Sequence, residues 1–221
     1  MPAGKGRKMR QFRRVLALGA HTDDIELGCG AFLSRLKREG VEIHSMAFSR
    51  AEQSLGPDMP RDILQHEFER SMSVIGVDST WTGKFPVRRF PEHRQEILEE
   101  LVSKSRDYHP DLVLTMNSQD THQDHSVIHQ ESIRAFRGST LLGYETPWNQ
   151  QQNIINLFIQ VTPHDVANKV RMLEAYESQK ELGRAYMDKT FVESAATFRG
   201  YQGRLPLAEA YEIITMTWDA S

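Results

Sequence analysis

Histidines and carboxylates occur together twice in this chain, as Ala20-His21-Thr22-Asp23-Asp24 and as Thr121-His122-Gln123-Asp124-His125. Side chains of these types do two kinds of work: they ligate a metal through ring nitrogen and carboxylate oxygen, and they move protons during hydrolysis. His21, Asp23 and Asp24 lie within four positions and cannot all point the same way, so two can face a metal while the third faces its bound water. A catalytic zinc keeps three protein ligands and one open position, which leaves a third ligand to come from elsewhere. The second cluster offers it: His122 and His125 are three apart, and either can reach the metal. Asp124 is free to hydrogen-bond a histidine ring from behind. His129, one helical turn further on, is assigned to packing or to a hydrogen bond.

The competing duty for the first cluster is to cap a helix, with one carboxylate accepting backbone N–H bonds. Capping needs one carboxylate, whereas two adjacent ones repel each other unless a cation sits nearby. A second cluster rich in His and Asp therefore points to a cation between them.

Both clusters follow apolar runs that read as buried strands, Arg14 to Gly19 and Asp111 to Met116. The stretch from Ile25 to Glu39 places Ile25, Leu27, Phe32, Leu33 and Leu36 on one helical face and stops at Gly40. Val41 to Phe48 reads as a second strand, a helix carries Ile63, Leu64, Phe68, Met72 and Ile75, and Trp81 to Phe85 forms a short strand. Helices are predicted over Pro91 to Arg106, Gln123 to Arg137 and onward from Pro163, with strands at Leu141 to Tyr144, Ile154 to Val161 and Tyr211 to Trp218. Alternating strands and helices predict a single α/β domain, a mostly parallel sheet with helices on both faces. In such a sheet the carboxyl ends of the strands border one crevice, so the two clusters are expected to meet there.

Composition narrows the partners. The 221 residues are 39% hydrophobic and 26% charged with a net charge of -3, an ordinary globular balance that gives no reason to expect nucleic acid. Lys5, Arg7, Lys8 and Arg10 concentrate charge in residues 1–12, read as a flexible basic N-terminus ahead of one domain over 13–221. The apolar run from Val15 to Gly19 is too short for a signal peptide or a membrane span, so a cytoplasmic protein is expected. The single cysteine, Cys29, removes cysteine-rich zinc arrangements and is assigned to packing. Aromatic loops such as that at Trp148 permit a symmetric homo-oligomer.

The stretch AHTDDIELGCGA from Ala20 to Ala31 and the stretch DTHQDH from Asp120 to His125 resemble the two signatures of the LmbE-like or PIG-L-like zinc-dependent N-deacetylases. The first signature in that family is Ala-His-Pro-Asp-Asp followed by Gly-x-Gly, and the second is His-x-Asp-His. Leu141 to Pro147 and the region from Lys169 to Tyr211 are similar to downstream segments of the family, so the resemblance covers nearly the whole chain. It implies a Rossmann-like α/β fold and one Zn2+ per chain bound by His21, Asp24 and His125, with Asp23 as general base and His122 beside the reacting carbonyl. Asp124 then supports a catalytic histidine. The implied reaction removes acetate from an N-acetylglucosamine-type sugar and leaves a free amine. Thr22 stands where the family has proline, a change that loosens the turn without removing a ligand.

Arg50 and Glu52, in the loop after the second strand, are expected to contact substrate because that loop opens on the same edge as His21. Two other readings compete. Gly28-Cys29-Gly30 at a helix start suggests a non-catalytic sugar or nucleotide binder, although Asp23 and Asp24 would repel a phosphate there. A metal-dependent phosphoesterase would use similar ligands with carboxylates bridging two ions.

Overall fold

A computed structural model describes residues 12–216, so the basic segment expected over residues 1–12 lies outside the described residues except for Phe12, as does the expected end of the last strand at Trp218. Seven strands form one sheet: β1 (Arg14–Gly19), β2 (Glu42–Ala47), β3 (Ser79–Thr82), β4 (Leu112–Met116), β5 (Thr140–Tyr144), β6 (Leu157–Gln160) and β7 (Ala208–Thr215). Their order across the sheet is β3-β2-β1-β4-β5-β7-β6. The first five run parallel, and β7 is antiparallel to both β5 and β6.

The helices are α1 (Asp24–Arg38), α2 (Ile63–Ser73), α3 (Arg94–Tyr108), α4 (Gln123–Ala135), α5 (Pro163–Glu174), α6 (Glu177–Glu181) and α7 (Lys189–Gly203). α5 packs against α1, α2 and α7, while α3 pairs with α4, giving the sheet its two helical layers. The core is the expected one: β1 and β4 are buried from Val15 to Leu18 and from Leu112 to Met116, as strands covered on both faces must be.

Chain direction across the sheet reverses between β1 and β4. From β1 the chain steps outward to β2 and β3, then returns to β4 on the other side of β1 and continues to β5. Such a switch point opens a crevice at the carboxyl ends of the two strands that flank it. The two His/Asp clusters leave those two strands.

α1 and the sheet fit closely at Gly28. A Cβ there would lie 2.0 Å from the Tyr144 ring, so only glycine admits that ring, whose hydroxyl donates to the Leu18 carbonyl at 2.6 Å. Gly30 similarly faces the Lys169 side chain. The two glycines thus serve packing, and the Gly28-Cys29-Gly30 stretch presents no phosphate cradle. Cys29 is fully buried, as expected. Its φ of -142° breaks α1, and the amides that restart the helix, Ala31 N and Phe32 N, donate to the Glu209 carboxylate of β7 at 3.1 and 2.7 Å.

Candidate metal centre and active site

The turn between β1 and α1 is short because Asp24 already begins the helix. Asp23 occupies the N-cap position yet makes no side-chain cap hydrogen bond. Capping therefore does not account for its carboxylate. Asp24 Oδ2 accepts the His21 amide at 2.7 Å, which folds the turn back on itself and brings ring and carboxylate to the same side. Across the switch point, His122 caps α4 by accepting the Asp124 amide on Nδ1 at 3.2 Å. His125, one turn into that helix, lies buried beside His21.

Three inward side chains form a triangle in which the Asp24 carboxylate meets the two rings through different oxygens. His21 Nδ1 is 3.4 Å from His125 Nε2, His125 Nε2 is 3.4 Å from Asp24 Oδ1, and His21 Nδ1 is 3.5 Å from Asp24 Oδ2. Two ligands held at zinc-like bond lengths and a tetrahedral angle lie roughly 3.4 Å apart, so the donor set fits a small cation of that kind. The rings are also turned correctly. His21 Nε2 is held by Asp124 Oδ2 at 3.0 Å and His125 Nδ1 by Asp120 Oδ2 at 2.7 Å, so in each neutral ring the proton sits on the outer nitrogen and the inner lone pair is free.

His122 joins the same cluster, its donor atom lying within 4.8 Å of those of His21 and His125. Its chemistry differs. Because Nδ1 is spent on the Asp124 amide, the proton of the neutral ring sits on Nε2, which makes that edge a hydrogen-bond donor.

Electrostatics separate the groups further. Burial alone would depress His21 and His125, but the carboxylate of Asp24 and the bonds to Asp124 and Asp120 raise them to about 9 and about 10. Burial would raise Asp24, yet the charges of His125 and His21 hold it well below the usual carboxylate range. Asp23 shows the opposite outcome. Burial, then the neighbouring Asp24 charge, push it up to about 6. Burial and the positive rings of His125 and His21 lower His122 to about 4, so it is neutral at pH 7.

Sequence reasoning did not assign Asp120, although it lies inside the second motif, five residues before His125. It is 5% exposed, accepts from Thr146 Oγ1 and from the His122 amide as well as holding the His125 ring, and is kept below its usual pKa mainly by that ring against the cost of burial. Asp124 is completely buried and collects Arg88 N at 2.6 Å and Phe90 N at 3.3 Å besides His21. It touches no open space, and its place is behind the His21 ring. Arg88 takes a left-handed φ of 69° to deliver its amide there. His129 is turned away from the centre and donates from Nδ1 to the Met116 carbonyl at 2.9 Å.

The centre forms the floor of a cavity of about 280 Å3. Its walls come from segments scattered along the chain, among them Leu64, Arg88, Trp148, Gln179, Arg184 and Tyr186. The Trp148 and Tyr186 rings stack at 4.3 Å, so this exposed loop aromatic lines a cavity wall. From the loop after β2, Ala51 and Ser54 line the cavity, while Arg50 and Glu52 are not among its lining residues. Ala51 adopts a left-handed φ of 49° and begins a tight turn, so it is Ala51 rather than its charged neighbours that meets the cavity.

Two braced imidazoles, one carboxylate turned toward them and one carboxylate without a cap bond, gathered at the carboxyl ends of β1 and β4, make a candidate metal centre in an α/β fold. The model of the family described as PIG-L, GlcNAc-PI de-N-acetylase, matches residues 16–136, a span that includes both clusters, and the chain belongs to that family. It is 29% identical over 170 residues to the uncharacterized deacetylase YaiS of Escherichia coli K12, covering 74% of this chain and 90% of that one. Among solved structures, the N,N'-diacetylchitobiose deacetylase of Pyrococcus horikoshii, complexed with its inhibitor MPG, superposes with a TM-score of 0.76 at 18% identity, covering 93% of this chain and 85% of that one. GalB, the 4-carboxy-2-hydroxymuconate hydratase of Pseudomonas putida KT2440, gives 0.77 at 16% identity, covering 95% and 99%. These two likenesses show a shared fold. No helix among the described residues is long and apolar enough to cross a membrane.

Proposed function

We propose that the protein hydrolyses the N-acetyl group of an N-acetylglucosamine-type sugar or its conjugate, with one zinc ion per chain held by His21, Asp24 and His125. The observation that carries this reading is the triangle of three donor side chains with the Asp23 carboxylate free of a cap bond beside it. Bound there, zinc would acidify water and polarise an amide carbonyl. Asp23, raised to about 6, remains mostly ionised at pH 7 and is basic enough to take a proton from the attacking water. The same carboxyl then returns that proton to the departing amine. His122, neutral and with its proton on Nε2, donates to the oxygen that gains charge as the carbonyl carbon becomes tetrahedral. Asp124 and Asp120 keep the His21 and His125 rings from turning.

The wall residues fit a sugar. The stacked Trp148 and Tyr186 offer a flat apolar face, and Arg88 and Arg184 offer donors at the same cavity. Arg50 and Glu52, the sequence neighbours of the lining residue Ala51, are proposed as outer contacts to substrate. A soluble, cytoplasmic enzyme is proposed on the same basis as the sequence expectation.

The test combines metal analysis with acetate release from a panel of N-acetylated amino sugars, using the parent chain and Asp23→Asn. One zinc per chain and acetate from the parent alone are expected. Two metals per chain would favour a phosphoesterase, no metal a binder, and a metal-loaded protein that releases no acetate would favour chemistry of another kind, such as hydration.

A further inference from the structure

Thr22 is 1% exposed and lies between a proposed ligand and the proposed base. Its carbonyl belongs to the peptide plane that joins it to Asp23, so the orientation of that plane sets where the Asp23 and Asp24 carboxylates emerge. Proline at this position would fix φ through its ring, and threonine leaves φ free. Something else must hold the turn.

The Thr22 carbonyl accepts a hydrogen bond from the hydroxyl of Tyr176, a ring that is completely buried. The same hydroxyl lies 2.7 Å from Glu26 Oε1, so it is held between the turn and the first full turn of α1. Tyr176 is itself anchored. Two residues on, Ser178 donates through its amide and its hydroxyl to the buried Glu67 of α2, at 2.9 and 2.6 Å, and Gln179 lines the cavity. A rigid strut therefore runs from α2 through the α5–α6 junction to the peptide that carries the catalytic carboxylates.

We propose that Tyr176, braced by Glu26, is a positioning residue for the metal-binding turn, doing by a hydrogen bond to the Thr22 carbonyl what a proline at 22 would do by its ring. The proposal rests on the reading of His21, Asp24 and His125 as ligands.

The test is metal affinity, read by competition with a chromophoric chelator and by the visible spectrum of the cobalt-substituted protein, with acetate release measured in parallel. Tyr176→Phe is expected to weaken affinity roughly tenfold and to alter the cobalt spectrum. Adding Thr22→Pro to Tyr176→Phe is expected to recover most of that loss, a non-additivity that distinguishes control of the turn from general destabilisation. Parent affinity in Tyr176→Phe, or a double variant as weak as the single one, overturns the proposal. Should Thr22→Pro fail to fold, Glu26→Gln is expected to keep several-fold more affinity than Glu26→Leu, because Gln can still hydrogen-bond Tyr176, and equal losses overturn the idea. The two readings fail separately. Affinities that follow this pattern with no acetate released by the parent sink the proposed reaction and leave the strut, whereas acetate release with unchanged affinity and kcat in Tyr176→Phe does the reverse.

Discussion

The floor and the walls of the cavity are built on different principles. The floor comes from two turns of a few residues each, at the ends of adjacent strands, and the Asp24 carboxylate and the His21 and His125 rings are each held there by a hydrogen bond of 3.0 Å or less. The walls come from segments between Ala51 and Tyr186 that share neither an element nor a motif, and Trp148 and Arg184 are exposed. Chemistry needs fixed distances, which neighbouring residues on rigid elements provide. Selectivity needs shape, which distant loops provide and can change without disturbing the floor.

Substitutions should separate the two sharply. His125→Ala removes one corner of the triangle and is expected to abolish both metal content and activity, as metal analysis would show; full metal occupancy would break the assignment of the floor. Asp23→Asn is expected to keep the metal while lowering kcat by about 10²–10⁴, the usual contribution of a general base. Asp120→Asn and Asp124→Asn leave every inward atom in place, and chelator competition is expected to show metal affinity down by about 10- to 100-fold in each. Trp148→Ala tests the walls: a three- to tenfold rise in KM with little change in kcat or metal content is expected, about the worth of one aromatic contact.

The smallest effect concerns pH and the metal-free protein. Because His21 and His125 are raised from 6.5 to about 9 and about 10, their protons stabilise the fold below pH 6.5, and this contribution is lost as pH rises through those values. Asp23 changes in a lower window, between 3.8 and about 6, and Asp24, held low, stays ionised throughout. Melting temperature of the chelated protein is therefore expected to fall between pH 6.5 and 10, and less so for the zinc-loaded form, in which the metal takes the place of both protons.

The same division decides what the sequence reveals. β1, α1, β4 and α4 were legible because apolar runs and helical periodicity are local, and the clusters stood at their ends. The expected strand at Ile154 to Val161 is shorter in the structure, Leu157–Gln160, with Ile154 exposed. α7 carries no clear apolar stripe and includes Gly200 and Gly203, whose backbones pack close to Leu205 and Phe158, so its helical character depends on tertiary contacts that sequence reading missed. The antiparallel direction of β7 is likewise set by what it pairs with. Asp120 was written in the motif, but its bond to His125 became visible only with the rings in place. Arg184 and Tyr186 had no local signal.

The break in α1 bears on how the molecule is made. The amides of Ala31 and Phe32 find their partner in Glu209, 178 and 177 positions later in the chain. The five parallel strands all precede that carboxylate in the chain, so the two amides of the helix that carries Asp24 lack this partner until residue 209 has been made. Contacts of such long separation slow folding and come late. Trimming the C-terminal strand would accordingly cost the first helix its completion, at the opposite end of the sequence.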